Sequence, residues 1–209
     1  MSLIAFLLLH TIISSGEPDG WSSTLHLPVW ARALNTVTTA SGSSATSAAT
    51  KILTRLVERK LIERERTGRE RKVKITLLRA DGSGDPYSRP TGAGARDRFI
   101  RLNHTFWTDG WDEKLSLPGV AMLLVSLHEK PGFTLATEHM SEWYGWSADT
   151  AERGLSELGN QGLVDISQRT DTEPLSPTGL VTRNVYTILP PFDHESVDRS
   201  IKANQKGRR

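Results

Sequence analysis

The sequence predicts a mainly helical α+β protein that consists of two similar units joined by a linker. Three observations predict this fold class: an internal repeat, an apolar helical stripe followed by a strand pattern in each copy, and a Gly-, Pro- and Ser-rich segment between the copies. The 209 residues suffice for two ordinary domains. With 37% hydrophobic and 24% charged residues, the chain is too apolar to be disordered.

The repeat relates residues 44–65, SATSAATKILTRLVERKLIERE, to residues 146–167, WSADTAERGLSELGNQGLVDIS. Matching apolar residues are 102 positions apart: Ala49 and Ala151, Leu53 and Leu155, Leu56 and Leu158, Leu61 and Leu163, and Ile62 and Val164. Farther on, residues 71–77 (RKVKITL) match residues 183–189 (RNVYTIL) at a separation of 112. The larger separation predicts ten extra residues in the second copy.

Three helices are predicted in the first unit. An apolar helix spans 3–14; it is too short to cross a membrane, and His10 and the lack of a basic start argue against a signal peptide. A second helix spans 27–34, with Pro28 near its start. The third follows the serine-rich residues 41–44 and carries one apolar face. That face consists of Ala45, Ala49, Ile52, Leu53 and Leu56.

A β-hairpin is predicted to follow the third helix. Residues 58–65 contain a short strand, residues 67–70 (TGRE) form a polar turn, and residues 73–78 (VKITLL) alternate as the returning strand. The predicted boundaries are 1–80 for the first domain, 81–98 for the linker, 99–192 for the second domain and 193–209 for a short basic tail.

The second unit is predicted to repeat this order. A helix at 116–130 has Ser116 as its expected N-cap and Pro118 in its first turn, and a short helix and turn follow at 137–146. The aromatic motifs at 106–111 (FWTDGW) and 143–146 (WYGW) are expected to pack in the core or to brace the unit. An exposed tryptophan there would instead indicate a protein interface.

Charge is distributed unevenly between the two copies. Residues 51–79 carry eleven Lys and Arg against four Glu, whereas residues 99–192 carry six Lys and Arg against twelve Asp and Glu. The two halves are therefore expected to have different partners.

The run SATSAATKILTRLVERKLIER, followed by TGRERKVKITL, resembles the winged helix-turn-helix superfamily, which includes MarR-like regulators and plasmid replication initiators with two such domains. The resemblance covers most of the chain as architecture and implies two tandem winged helix-turn-helix domains. It also implies that the third helix docks in the DNA major groove and that the hairpin, or wing, reaches the adjacent backbone or minor groove.

Cations cluster on the two elements that this fold uses for DNA, which favours a DNA-binding surface over a merely solvated charged face. The candidate DNA-binding residues are Ser47, Thr50, Lys51, Thr54 and Arg55 on the third helix, and Arg64, Arg66, Arg69, Arg71, Lys72 and Lys74 on the hairpin. In the second copy only Arg153 is a candidate, because Asp149 and Glu152 would repel phosphate. That unit is expected to serve in dimerisation, in docking to the other domain, or in binding a protein partner.

Several chemistries are excluded or disfavoured. The chain has no cysteine, which excludes disulfides, cysteine-based zinc sites and thiol catalysis and fits the cytoplasm. The six histidines show no metal-ligand spacing; His139 and Glu142 are three apart, but no third ligand is evident. No dinucleotide loop, nucleophile elbow or catalytic triad is present, so we expect neither an enzyme nor a bound cofactor.

The sequence therefore predicts a cytoplasmic protein that binds specific double-stranded DNA sites, as a bacterial-type transcriptional regulator. Two alternatives remain open. A plasmid or phage replication initiator would place both third helices on DNA, and a winged-helix adaptor would bind another protein instead of DNA. No association with a membrane is expected.

Overall fold

The computed structural model of the protein describes residues 2–14, 16, 20–38, 41–67, 72–94 and 97–206. Helix accounts for 45% and strand for 20% of the residues that the structure describes, which confirms the α+β class. The chain divides into two compact units, Met1–Pro90 and Thr91–Arg209, called the first and second unit below. Among the described residues, no helix combines the length and the apolar character needed to cross a membrane.

The first unit contains three helices and a three-stranded antiparallel sheet. Its elements are α1 (Ser2–Ile12), β1 (Ser22–His26), α2 (Leu27–Ala33), α3 (Gly42–Glu58), β2 (Ile62–Thr67) and β3 (Lys72–Leu77). The sheet order is β1-β3-β2, so β3 lies in the middle. The three helices and the two strands of the hairpin agree with the sequence prediction, whereas β1 was not predicted. Residues 68–70 of the predicted turn lie outside the described residues. Its five residues lie directly before α2 and pair with β3.

The second unit repeats this order of elements. Two short helices, α4 (Thr105–Thr108) and α5 (Trp111–Lys114), come first. They are followed by α6 (Leu117–His128), β4 (Phe133–Thr134), a 3-10 turn (Thr137–His139), α7 (Met140–Trp143), α8 (Ala148–Asn160), β5 (Val164–Thr172), β6 (Leu180–Ile188) and α9 (His194–Lys206). The sheet order is β4-β6-β5, which matches β1-β3-β2. Ser116 is the N-cap of α6, as expected, and its Oγ accepts a hydrogen bond from the N–H of Gly119.

The repeat extends to the way in which α3 and α8 end. The N–H of Leu61 donates to the carbonyl of Leu56, and the N–H of Leu163 donates to the carbonyl of Leu158. Before each of these leucines, Lys60 (φ 54°) and Gly162 (φ 69°) adopt a left-handed conformation. This is the Schellman arrangement, which satisfies the last helical carbonyls and turns the chain into the strand. The separation of 102 residues is therefore preserved in backbone geometry.

The predicted separation of 112 for the last strand is wrong by one residue. Ile62 pairs with Leu77, and its equivalent Val164 pairs with Ile188, a separation of 111 for the last strand. The second hairpin therefore has nine extra residues. Because side chains alternate between the two faces of a strand, this slip decides which of them are buried. Tyr186 and Ile188 point into the core, whereas Val185 and Thr187 are only half-buried.

The core of the first unit forms between α1, α3 and the sheet. Ala5, Leu9 and Ile13 are buried in it, which confirms the prediction of a buried first helix. Trp30 of α2 is fully buried, and its indole N–H donates to the carbonyl of Val73 at 3.0 Å. This bond joins α2 to the middle strand and holds the helical part of the unit against the sheet.

Two segments differ from the predicted linker and tail. Residues 81–90 belong to the first unit: Leu78 bridges to Pro86, and the ring of Tyr87 lies 5.2 Å from those of His10 and Trp21. Apolar and aromatic residues within the polar segment hold it against the unit. Residues 194–206, predicted as part of a basic tail, form α9, and Val197 on this helix is buried.

The aromatic motifs of the second unit have different environments. Phe106 is fully buried, and its ring lies 6.4 Å from that of Phe192, in agreement with the predicted packing role. Trp143 is 54% exposed and stacks on His139 at 5.2 Å. The expectation that the second motif packs in the core is therefore wrong for Trp143, because α7 is only one turn long and presents this residue to solvent.

His10 is expected to make the stability of the first unit dependent on pH. Its Nδ1–H donates to the carbonyl of Phe6, and its ring meets those of Phe6 and Tyr87 edge to face. Desolvation lowers the pKa of His10 below 6.5, against the smaller raising effect of the Phe6 carbonyl. Between its lowered pKa and about 6.5, the unfolded chain binds a proton that the folded unit excludes. The free energy of unfolding should therefore be highest above this window and fall as the pH drops through it.

This dependence can be tested by urea unfolding between pH 7.5 and 5.5. We expect His10→Leu to flatten the decline in the free energy of unfolding that the wild type shows on acidification. His104→Gln, at an exposed position, is the control and should retain the decline. Equal slopes for the wild type and His10→Leu would show that His10 is not responsible.

Candidate nucleic-acid interface

The outer side of α3 presents five of the predicted residues together. Helical geometry places them opposite the buried face that includes Ala49, Leu53 and Leu56. They are Ser47, Thr50, Lys51, Thr54 and Arg55, of which Ser47, Lys51 and Arg55 are exposed and Thr50 and Thr54 are half-buried. The predicted helix face is therefore present as one surface.

The hydroxyl groups on this surface are engaged by the helix itself. Ser47 Oγ donates to the carbonyl of Ser43, and Thr50 Oγ1 donates to that of Thr46, both at 2.8 Å. Each oxygen keeps its lone pairs for an outside donor. To donate to a phosphate or a base, these groups would have to give up the bond to the helix. The charged contribution of the surface therefore comes from Lys51 and Arg55.

Arg64 connects the hairpin to this helix surface. Its Nη1 donates to the carbonyl of Thr50 and to Oγ1 of Thr54, each at 3.3 Å. The strand register explains the contact. Arg64 lies opposite the buried Ile75, so its side chain projects from the helix-facing side of the sheet, and its edge strand β2 places it beside α3. Arg66 lies two residues on, on the same side.

These residues form one surface across α3 and β2, which we call the basic face. It consists of Ser47, Thr50, Lys51, Thr54, Arg55, Arg64 and Arg66. The four cations of this face suit a chain of phosphates. Long cationic side chains on a helix and an adjacent strand can also follow the curved backbone of a duplex.

Lys72 and Lys74 lie on the other side of the sheet. They alternate along β3 with the buried Val73 and Ile75 and are therefore separated from the basic face. Glu65 pairs with Lys74 across the strands, so a negative charge accompanies the positive one on that side. The alternation of charged and apolar residues at 72–77 is the sequence signal that could have separated them. Arg69 and Arg71 lie outside the described residues.

The equivalent surface of α8 has been neutralised. Arg153 Nε forms an ion pair with Asp149 Oδ2 at 3.0 Å. Arg153, the one residue of the second unit that was predicted to contact DNA, is therefore already paired. Glu152 accepts a hydrogen bond from Thr137 Oγ1 at 3.3 Å. Glu157 accepts from the N–H of Ser116 at 2.8 Å and from the hydroxyl of the same residue. The carboxylates of this surface thus hold the second unit together.

No protein-family model, curated protein or solved structure matches this chain.

A groove of about 900 Å³ lies beside α8. Its position corresponds to the place where Arg64 contacts α3 in the first unit. By the 102-residue separation, Ile166 takes the place of Arg64, and it is 42% exposed. An isoleucine has no hydrogen-bond donor, so no bond to the helix like that of Arg64 is made here, although Ile166 lies close to Gly159 of α8. The charged residues of the walls are Glu138, Glu152, Asp165 and Arg183, and Arg183 pairs with Glu173. This groove is open, polar and partly acidic.

The described residues include no group of three His, Asp or Glu side chains arranged to hold a metal ion. The His139 and Glu142 side chains approach to 3.6 Å as an exposed pair on α7. The ring of His139 also stacks on that of the exposed Trp143. His139 and Glu142 therefore lie on the surface beside this tryptophan.

Proposed function

We propose that this protein binds double-stranded DNA through the basic face of the first unit. The observation that carries the proposal is the contact of Arg64 with Thr50 and Thr54. It joins a helix and a hairpin into one cationic surface that a major groove and its flanking phosphates can occupy together. In this mode α3 lies in the groove while Arg64 and Arg66 contact the backbone.

The order of elements supports the proposal that each unit is a winged helix-turn-helix domain. In both units a helix, a strand, two helices and two further strands follow one another, and the last strand lies in the middle of the sheet. This order places the third helix beside a hairpin that can serve as a wing. The proposed role is the regulation of transcription in the cytoplasm.

A replication initiator is an alternative to a transcriptional regulator, and the second unit argues against it. An initiator that grips DNA with both units would need a cationic surface on α8, where Asp149 pairs with Arg153 and Glu152 adds a further carboxylate. Footprinting can separate the two roles: two adjacent major grooves protected by one monomer would favour an initiator.

The groove of the second unit supports a function other than DNA binding for that unit. Its volume of about 900 Å³ and its acidic walls suit a cationic segment of a partner protein better than DNA. The exposed Trp143 is a further candidate contact, because tryptophan is enriched in protein interfaces. The adaptor function is thus proposed as an addition to DNA binding.

The DNA-binding proposal predicts a measurable change in salt dependence. We expect Lys51→Ala/Arg55→Ala to weaken binding to genomic DNA fragments and to lower the slope of log K against log salt by up to about two, at about 0.9 per phosphate contact. A gel-shift or anisotropy titration between 50 and 200 mM salt measures both quantities, with about 0.05 M as the most sensitive condition.

The matched control is Arg79→Ala/Arg89→Ala, which removes the same charge from the first unit away from α3. Arg79 pairs with Asp81, and Arg89 lies over the ring of Trp21. We expect this variant to keep the wild-type slope. If Lys51→Ala/Arg55→Ala binds as the wild type does, the basic face is not the DNA contact. Selection of bound fragments from genomic DNA then shows whether a specific site exists.

A further inference from the structure

The second unit contains a cationic depression that is separate from α8 and from its groove. It has a volume of about 450 Å³ and lies between the end of α6, the start of α9 and the segment 98–101. Its charged and polar lining consists of Arg98, Arg101, His128, Lys130, His194 and Asp198. This cluster is unusual for a unit in which acidic residues outnumber basic ones over 99–192.

The cations of the second unit differ in whether they already have a partner. Arg153, Arg169, Arg183 and Arg199 each form an ion pair with a neighbouring carboxylate. Arg101 pairs with Asp198 at 3.0 Å, and Lys114 donates to the carbonyl of Asp109. Between residues 98 and 202, all of which the structure describes, three cations make no such contact: Arg98, Lys130 and Lys202. Arg98 and Lys130 both line this depression.

Arg101 is held in place at the side of the depression. Its Nη1 binds Asp198, and its guanidinium lies 5.2 Å from the centre of the Phe99 ring. Only one nitrogen is used by the carboxylate, so the other donors of the guanidinium remain for a ligand. A side chain fixed in this way loses less conformational entropy when it binds an anion.

The segment that carries Arg98 is also ordered by the loop before it. Asp97 Oδ2 accepts hydrogen bonds from the N–H and hydroxyl of Thr91 and from the N–H of Gly92. The Thr91 hydroxyl is the main cause of the lowered pKa of Asp97, so this carboxylate is ionised at neutral pH. Gly92 has a φ of 79°, and a Cβ at this position would lie 3.2 Å from Phe99 Cε1. The loop thus leaves room for the Phe99 ring that supports Arg101.

We propose that this depression binds phosphate groups. Arg98 and Lys130 provide two unpaired cations, and Arg101 provides a positioned guanidinium. His128 and His194 also line the depression, where His194 Nε2 lies 3.4 Å from the carbonyl of Glu129. A chain of phosphates carries one negative charge and two non-bridging oxygens at each phosphorus and can therefore engage several cations at once, whereas a single carboxylate brings only one charge and two oxygens. The ligand source that fits the proposed function is the backbone of bound DNA, and this part of the inference depends on that function.

The test uses Arg98→Ala/Lys130→Ala in the full chain. Both side chains are exposed and unpaired, so we expect the variant to fold with an unchanged melting temperature. Arg169→Ala/Arg199→Ala is the matched control, since it removes the same charge from paired positions of the same unit. Two ligands are titrated by calorimetry and anisotropy: inorganic tripolyphosphate and a duplex of random sequence.

We expect Arg98→Ala/Lys130→Ala to weaken tripolyphosphate binding about tenfold or more, because charge-assisted hydrogen bonds are lost. For the duplex, the slope against log salt should fall by about two. The control should change neither quantity. A loss restricted to the duplex identifies a backbone phosphate as the ligand, and a loss restricted to tripolyphosphate identifies a free phosphate compound.

Unchanged binding of both ligands would overturn the phosphate site. This outcome is distinct from a failure of the proposed function, which is tested by Lys51→Ala/Arg55→Ala on the first unit. A phosphate site that binds tripolyphosphate would stand even if the basic face did not bind DNA.

Discussion

Replacement of Gly154 by alanine is expected to destabilise the second unit by on the order of 3 kcal/mol. Gly154 is buried on α8 where this helix crosses α6. A Cβ built on it would lie 2.6 Å from Met122 Cγ and 2.8 Å from the carbonyl carbon of Pro118. Backbone atoms of α6 cannot move aside cheaply, so the two helices would have to separate. Alanine's higher helix propensity, about 1 kcal/mol, offsets only part of this cost.

Gly159→Ala on the same helix is the control. A Cβ there would lie 3.0 Å from Ile166 Cδ1, at the end of a partly exposed side chain that can change rotamer. We expect its free energy of unfolding to stay within about 1 kcal/mol of the wild type. Urea unfolding followed by circular dichroism gives both values, and Gly154→Ala should lower the midpoint by about 1 M or more. Equal midpoints for the two variants would contradict the close α6–α8 contact.

Trp30→Ala is expected to destabilise the first unit by about 3–5 kcal/mol. The side chain is fully buried, so its removal leaves a large cavity between α2 and the sheet. It also leaves the carbonyl of Val73 without its indole donor. A loss of this size is a large part of the stability of a small domain, so the basic face should disappear together with the fold. The DNA binding proposed for this face should then be lost in parallel with the unfolding of the first unit.

Two further tryptophan variants separate packing from hydrogen bonding. Trp30→Phe keeps most of the ring and removes the N–H, and we expect a cost of about 1–2 kcal/mol. Trp143→Ala, at a position that is 54% exposed, should change the free energy of unfolding by about 0.5 kcal/mol or less. Comparable losses for Trp30→Ala and Trp143→Ala would show that Trp30 does not anchor α2.

The repeat could be predicted from the sequence because the apolar residues report local geometry. Ala49, Leu53 and Leu56 are spaced for one face of a helix, and their partners 102 residues later are buried in the same way. The one-residue error in the last strand arose because the letters of RKVKITL and RNVYTIL match best at 112. In the sheets the separation is 111, because Val164 pairs with Ile188 where its equivalent Ile62 pairs with Leu77.

The division of the candidate cations could be predicted in part. Period-two alternation separates Lys72 and Lys74 from Arg64 and Arg66 once the buried residues are known. The approach of Arg64 to Thr50 and Thr54 could not be predicted from the sequence, because it depends on how an edge strand lies beside a helix. β1 was missed for a similar reason: its five residues carry little apolar alternation, and its pairing with β3 is what makes them a strand.

The sequence by itself determined the two-unit plan, the buried helix positions and the contrast between a basic first copy and an acidic second copy. These properties depend on residue type and short-range spacing, which the chain carries directly. Only the tertiary structure decided which charges act together. It placed the side chain of Arg64 against α3, formed the groove beside Ile166, and brought Arg98 and Lys130 to one depression across a separation that no local pattern records. The physical reason is that such contacts depend on how distant elements pack.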